Sequence, residues 1–511
     1  MKKTGMNNIR RVLIKFFYLG FFGFIFTLNI REIMDPDFFW HLRTGQYILT
    51  NIAIPHTNIF SFTYPGIEWL NHEWLSQVLL YAIYNVGGFI SLIYMKAALL
   101  TLTFIIFFTT LLKISKSRIV SFFFTALAVR ISMPYFTMRP QIFSYFLLAA
   151  LMYILYAYIT DVSRKKMLKI IPLLMLLWVN LHGVYIIGMA TLAVFAFCEI
   201  FETFKITQRA NNVLAALKQS PLFKIFAISC VLLLINPYTW KSLIYPVTYL
   251  FGQGRLHTHY ITEWQSVNFH EGYALFVVFY CLIVYLSFAF SKSKTARELI
   301  VILIFSYLGI SANRNLPLMV LVVTPAAVFA GKYFFNLYAQ RFQLWNIKHK
   351  FRFLCLHIIL IFIPLVFGYS FFYMNERMLG NNPIDTLRFP QDSVEYLKNN
   401  DYSEKRILNL YKWGGYFIWH LYPQYKNFID GRGIMFPADF LVEYFNFAKL
   451  KIDWKVFLEK HKIDMILWDK NSPVSTILTE SNNWKIIFEG RSSCIYAKSS
   501  VKTPDTVRIR E

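Results

Sequence analysis

The stretch Arg31-Glu32-Ile33-Met34-Asp35-Pro36-Asp37-Phe38-Phe39-Trp40-His41 stands between two apolar runs, Val12 to Ile30 before it and Gly88 to Leu112 after it. A bilayer crossing takes about 20 predominantly apolar residues, so this charged and aromatic stretch opens a loop between two spans. Working outward, about eleven runs qualify as spans or as halves of membrane hairpins. The remaining ones are Ile119 to Met133, Gln141 to Ile159, Leu168 to Asn180, Val184 to Phe201, Leu222 to Ile235, Gly272 to Phe290, Leu299 to Ile310, Leu316 to Phe335 and Phe353 to Tyr373. The first run carries the basic flank of a signal peptide (Lys2, Lys3, Arg10, Arg11) but lacks a small-x-small cleavage site before Arg31, and it reads as a retained helix.

Composition agrees with this reading. Of 511 residues, 56% are hydrophobic, 19% aromatic and only 16% charged, against roughly 25% charged in soluble chains; mean hydropathy is +0.44. Disorder, collagen and coiled coil are excluded, and the chain is expected to be an α-helical polytopic membrane protein. Four of the five cysteines (Cys198, Cys230, Cys281, Cys355) lie in or beside apolar runs and Cys494 in the polar tail, which excludes a disulfide scaffold. The net charge of +24 is a topology signal. Lys113, Lys116 and Arg118, then Arg164 to Lys169, Lys205 to Lys224, Lys292 to Arg297 and Arg341 to Arg352 all fall in loops on the N-terminal side. Basic loops mark the cytoplasm, so the N-terminus is expected there, in a multi-pass protein of the cytoplasmic (inner) membrane, and no nucleic-acid partner is needed to explain the basicity.

Two segments should face outward: a first outer loop, 31–86, and a polar tail, 375–511. This division gives a transmembrane domain over residues 1–374 and an extracytoplasmic α/β domain after it. Within the loop, Trp74 to Tyr84 has helical apolar spacing and suggests an interfacial helix. The tail reads as helix at Ser393 to Asn399 and Phe440 to Leu450, and as strand at Arg406 to Leu410, Phe428 to Asp430, Ile463 to Trp468, Ile486 to Glu489 and Cys494 to Ala497.

The candidate functional residues gather on the outward side. Asp35 and Asp37 can act as a general base with an orienting partner, as ligands of a hard divalent cation such as Mg or Mn, or as caps of a helix starting near Phe38. His41, His72 and Glu73 can join such a site or serve the structure. Arg139, Arg314, His182 and Glu263 sit in turns where apolar runs end on that face. Arginine there breaks the positive-inside pattern; it either snorkels to headgroups or offers a planar fork of donors to a phosphate. Tyr411-Lys412-Trp413-Gly414-Gly415-Tyr416 and Asp430-Gly431-Arg432-Gly433 are turn chemistry, or a weak phosphate cradle.

Asp35 to Gly45, Asn71 to Trp74, Arg139-Pro140-Gln141, Leu181-His182-Gly183, Arg314-Asn315, Trp413-Gly414-Gly415-Tyr416 and Asp430-Gly431-Arg432 together resemble bacterial membrane proteins of the GT-C glycosyltransferase class. That class includes protein O-mannosyltransferases, aminoarabinose transferases and the oligosaccharyltransferase catalytic subunit. Asp35-Pro36-x-Phe38 is similar to the oligosaccharyltransferase pattern, whereas an acidic pair followed by His41 is closer to the mannosyltransferase one, so either aspartate can be the matching carboxylate. The tail lacks the Trp-Trp-Asp-Tyr-Gly acceptor motif, which argues against a sequon reader.

The resemblance implies transfer of a sugar from a polyprenyl-phosphate donor, held among membrane lipids, to a glycan, lipid or protein acceptor on the outer face. Asp37 or Asp35 would be catalytic, with Arg139, Arg314, His41, His72, Glu73, His182 and Glu263 binding substrate. The rival class is a transporter or lipid flippase, which would place ionisable residues or helix breaks at the bilayer midplane. The one-sided basic loops predict that a reporter fluorescent only in the cytoplasm stays dark when fused after Glu511; bright fluorescence there would overturn the topology.

Overall fold

The computed structural model describes residues 2–207, 213–251, 260–291, 295–335, 383–385, 388–502 and 507–508. The chain forms two compact units: 1–31, 93–246 and 261–381 in one, 32–92, 247–260 and 382–511 in the other. Residues 32–92, which the sequence division assigned to the transmembrane domain, group by their contacts with the C-terminal residues.

The first unit is helical. Four helices in the described chain, Trp74–Ser115, Gln141–Thr160, Tyr185–Phe204 and Asn313–Ala330, are long and apolar enough to cross a membrane, and three shorter apolar ones are Ile14–Leu28, Pro221–Leu232 and Ala274–Ala289. The sequence counted about eleven runs; Ile119 to Met133 and Leu168 to Asn180 are the short helices Arg118–Ser132 and Ile171–Leu181, and Phe353 to Tyr373 lies outside the described residues. The Trp74–Ser115 helix is broken at Gly87 and Gly88, where Gly88 has φ +64°, a backbone setting that favours glycine. The break separates the expected interfacial helix from the span after it.

Helices of this unit expose apolar stripes at helical spacing: Leu275, Phe279 and Leu282 on Ala274–Ala289, and Leu299, Leu303 and Tyr307 on Ala296–Ser311. Such faces are unfavourable in water and fit lipid. Inside, the guanidinium of Arg297 lies between the rings of Phe195 and Phe329, with Arg297 Nη2 2.8 Å from the buried Glu298 carboxylate. Tyr158 and Ser220 hydroxyls donate to Glu199, as does the Leu222 N–H; this gathers helix ends at the basic-loop side of the bundle.

The second unit is α/β. Five strands, β1 (Ile407–Asn409), β2 (Met465–Asp469), β3 (Trp484–Glu489), β4 (Ser493–Lys498) and β5 (Val507–Arg508), lie in the order β1-β2-β4-β3-β5. Its core joins Trp40, Phe60 and Trp69 of the first loop to Leu408, Phe428, Phe440 and Trp468, and each such buried side chain contributes roughly 1.5–3 kcal/mol. Backbone bonds run the same way: Phe62 N to Asn427 O, Asn427 N to Phe60 O and Ile33 N to Pro383 O.

Phe428 to Asp430, expected as a strand, is not one. The Asn409 side chain accepts from Phe428 N at 2.8 Å and donates to Ile429 O at 2.8 Å, so a side chain replaces the ladder. The helices Gly414–Leu421, Trp454–Lys460 and Pro473–Glu480 were not anticipated.

Removing one partner of a buried ion pair costs about 3–5 kcal/mol, while replacing both by well-packed apolar residues is often neutral. Arg297→Ala should therefore lower the unfolding temperature of the detergent-solubilised protein clearly, and the double substitution Arg297→Met, Glu298→Leu should recover most of the loss. An unchanged midpoint in the single variant would contradict this.

Candidate functional site

Each unit carries one group of the residues singled out above. In the second unit, the helix Asp37–Asn51 begins at the second aspartate. Its N-cap is Pro36, which has no side chain to cap with, and Asp35 Oδ1 takes over by accepting the Asp37 N–H at 3.0 Å. Asp35 is 5% exposed, and this bond is a helix-capping contact. Asp37 is half-buried in the first helical turn, where a negative charge suits the helix dipole.

Gly431 and Gly415 let the C-terminal motifs come up to this turn, and Gly414 lets those motifs pack on each other. A Cβ on Gly431 would lie 1.7 Å from Asp37 Oδ1, one on Gly415 2.3 Å from Pro36 O, and one on Gly414 2.2 Å from Ile429 O. The glycine pair thus admits backbone rather than cradling a phosphate. Asp430 is fully buried; Arg432 Nε and Nη2 donate to its two oxygens at 2.8 and 2.7 Å, and Asn427 adds a third donor at 2.9 Å. The guanidinium is stacked on Trp69 and Phe60 and reaches Asn58 Oδ1. Burial alone would raise the Asp430 carboxyl, but Arg432 and these hydrogen bonds outweigh it and hold the group below the usual carboxylate range. A carboxylate whose pKa is lower in the folded state stabilises above its unfolded value and loses that contribution as pH falls through the folded one, so acid weakens this pair.

His41 lies one turn after Asp37, with Nδ1 3.4 Å from Gln77 Nε2 and 3.7 Å from Glu73 Oε2. Gln77 in turn exchanges two amide hydrogen bonds with Asn71, both 2.8 Å. Gly45 abuts Gln77 O, where a Cβ would sit 2.0 Å away. His72 Nδ1 is 3.3 Å from Leu70 O and its Nε2 4.0 Å from Glu73 Oε1; burial pushes its imidazole down to about 4, so it is neutral at neutral pH. The structure therefore brings Asp35, Asp37, His41, His72 and Glu73 together in one unit. Among the described residues no three His, Cys, Asp or Glu side chains are grouped so as to hold a metal ion.

In the first unit, Glu263 bridges the two arginines. Arg139 Nη1 is 2.9 and 3.2 Å from its two oxygens, and Arg314 Nη1 is 3.3 Å from Oε1. Arg314 also stacks on Trp264, 4.3 Å from the ring centroid, and its carbonyl accepts from Gln141 Nε2. All three charged groups are partly buried. The formal charge of the trio is one positive unit, held in fixed orientation. His182 is buried, with Nδ1 2.8 Å from Ser144 Oγ, and Ser144 in turn accepts from Trp178 Nε1 at 2.8 Å. Sequence reasoning missed Ser144, Trp178 and Gln77, whose roles arise only from packing; the close-approach role of the glycine motifs was visible as motif but not as purpose.

No family model matches the chain, and no curated protein matches it either. Solved structures do. The oligosaccharyltransferase of Archaeoglobus fulgidus tethered to an acceptor peptide containing the NVT sequon superimposes with a TM-score of 0.55 at 10% identity, over 96% of this chain and 74% of that one. Archaeal oligosaccharyltransferase AglB from the same organism, in complex with an inhibitory peptide and a dolichol-phosphate, gives 0.51 at 11% identity, over 90% and 69%. ArnT from Cupriavidus metallidurans bound to undecaprenyl phosphate covers 99% of this chain and 100% of its own at 11% identity, with a TM-score of 0.48. The chain has the fold of the archaeal oligosaccharyltransferase, a GT-C glycosyltransferase.

The contact between Gly431 and Asp37 predicts that Gly431→Ala lowers thermal stability, since overpacking of this kind costs about 1–3 kcal/mol. Gly272→Ala, where a Cβ would meet nothing within 4 Å, serves as the control. Equal melting of the two variants would remove Gly431 from its role.

Proposed function

We propose that this protein is a GT-C-type glycosyltransferase that moves a sugar from a polyprenyl-phosphate donor to a glycan, lipid or protein acceptor on the outer face of the cytoplasmic membrane, with its C-terminal α/β domain on that side. The observation that carries this reading is the fold shared with the archaeal oligosaccharyltransferase over 96% of this chain, one solved form of which holds a dolichol-phosphate. The Asp35 to Asp37 turn is compatible with it: Asp35 Oδ1 accepts the Asp37 N–H, and Asp37 stands half-buried in the first turn of its helix.

In this reading Asp37 takes the proton of the acceptor hydroxyl or amine as that group attacks the anomeric carbon. The bond from that carbon to the phosphate oxygen breaks, and its electron pair leaves with the lipid phosphate. Arg139 and Arg314, whose forks Glu263 orients, are the proposed holders of the donor's phosphate. His41, with Glu73 and His72 behind it, shapes the acceptor side. Apolar helix faces receive the polyprenyl chain.

The test compares purified Asp37→Asn and Asp35→Asn for turnover of a polyprenyl-phosphate sugar. General-base assistance is worth about 10² to 10⁴ in rate, and Asp37→Asn should lose that much while staying folded. Asp35→Asn keeps an oxygen to accept the Asp37 N–H and should retain most activity. Full activity of Asp37→Asn would end this assignment.

A further inference from the structure

Before the Gly87 and Gly88 break, the helix that starts at Trp74 buries its two faces in the reverse of the order expected in water. Its polar side chains Ser76 and Gln77 are fully buried, whereas Leu79, Ala82 and Val86 are exposed, Val86 to 87%. These three stand three and four residues apart and so form one stripe; the partly exposed Leu75 and Ile83 widen it, and the exposed Asn85 stands off it beside the break. A surface helix in water turns its polar face outward. Here the outward face is the apolar one. We infer that this stripe rests on lipid at the level of the headgroups, and that it seats the second unit's candidate site against the bilayer. The inference stands apart from the sugar transfer proposed above.

The chain itself says what covers the stripe. Past the break the same helix continues into the apolar stretch 89–115, which at 1.5 Å per residue is about 40 Å long, the thickness of a bilayer with its headgroup layers. The residues at the break therefore stand at a membrane boundary. Aromatic side chains, which are enriched at that level, gather there: the ring of Tyr84, in the last turn before the break, is 4.9 Å from that of Phe89, just after it, and 5.2 Å from that of Trp419. An apolar stripe that ends at this boundary meets acyl chains and headgroups. The opposite face of the helix carries part of the candidate site. Gln77 Nε2 is 3.4 Å from His41 Nδ1, and Gly45 admits the Gln77 carbonyl. A helix is about 10 Å across, so Gln77 holds His41 roughly one helix diameter from the lipid surface. The stripe thereby sets the depth at which the site stands.

Spin-label accessibility of the full-length protein in phosphatidylcholine nanodiscs tests this. A nitroxide is attached in Leu79→Cys, in Val86→Cys and, as a reference, in Glu480→Cys, an exposed position at the end of the helix Pro473–Glu480; the spectrum of the labelled parent protein is subtracted for its own cysteines. The labels at positions 79 and 86 should collide several-fold more often with oxygen, which concentrates in lipid, than with a water-soluble nickel chelate. The label at position 480 should show the opposite preference. Labels at 79 and 86 that favour the nickel chelate overturn the lipid contact. Labels there that are shielded from both reagents put protein over the stripe, a second copy of the chain or another segment, and overturn it equally. Either result leaves the proposed reaction standing, because no step of that reaction runs through the stripe.

Discussion

The buried pair of Asp430 and Arg432 holds the second unit's site in place. Two forked bonds and a third from Asn427 lock the carboxylate, and stacking on Trp69 and Phe60 ties the guanidinium to the first loop. Between the two lies Gly431, in contact with Asp37. A charge pair in a dry interior tolerates little movement, because any departure leaves a buried charge uncompensated. The position of the half-buried aspartate is therefore inherited from a pair almost 400 residues further along the chain.

A comparable economy governs the first unit. One carboxylate, Glu263, orients two guanidiniums that would otherwise be long and mobile. Its neighbour Trp264 lies under Arg314. Snorkelling treats each arginine as a solitary cation reaching for headgroups; a shared carboxylate and a stacked indole fix them as a set. Elsewhere in this unit, the helices Ala274–Ala289 and Ala296–Ser311 expose apolar stripes that fit lipid.

The glycines show why motif reading stops short. Trp413-Gly414-Gly415-Tyr416 and Asp430-Gly431-Arg432 read locally as turns or as anion cradles, since glycine is used for both. In the fold, the space beside each of Gly414, Gly415 and Gly431 is filled by another segment: Ile429, Pro36 and Asp37. A missing Cβ is visible in a sequence, but what occupies its place is not.

What the sequence determined by itself was local in character. Apolar runs of sufficient length specify apolar helices, and short alternating segments announce β1, β2, β3 and β4 and the helices Gln391–Asn399 and Ala438–Ala448 to within a few residues. Tertiary structure decided the rest: that Asp35 accepts the Asp37 N–H at the helix start, that Phe428 to Asp430 surrenders its ladder to Asn409, that Arg139 and Arg314 share Glu263, and that Ser144 lies between His182 and Trp178. The physical reason is range. Periodicity and hydropathy are sums over neighbours in the chain, whereas each of these outcomes depends on which atom fills the next few ångströms, and most of those atoms come from distant residues.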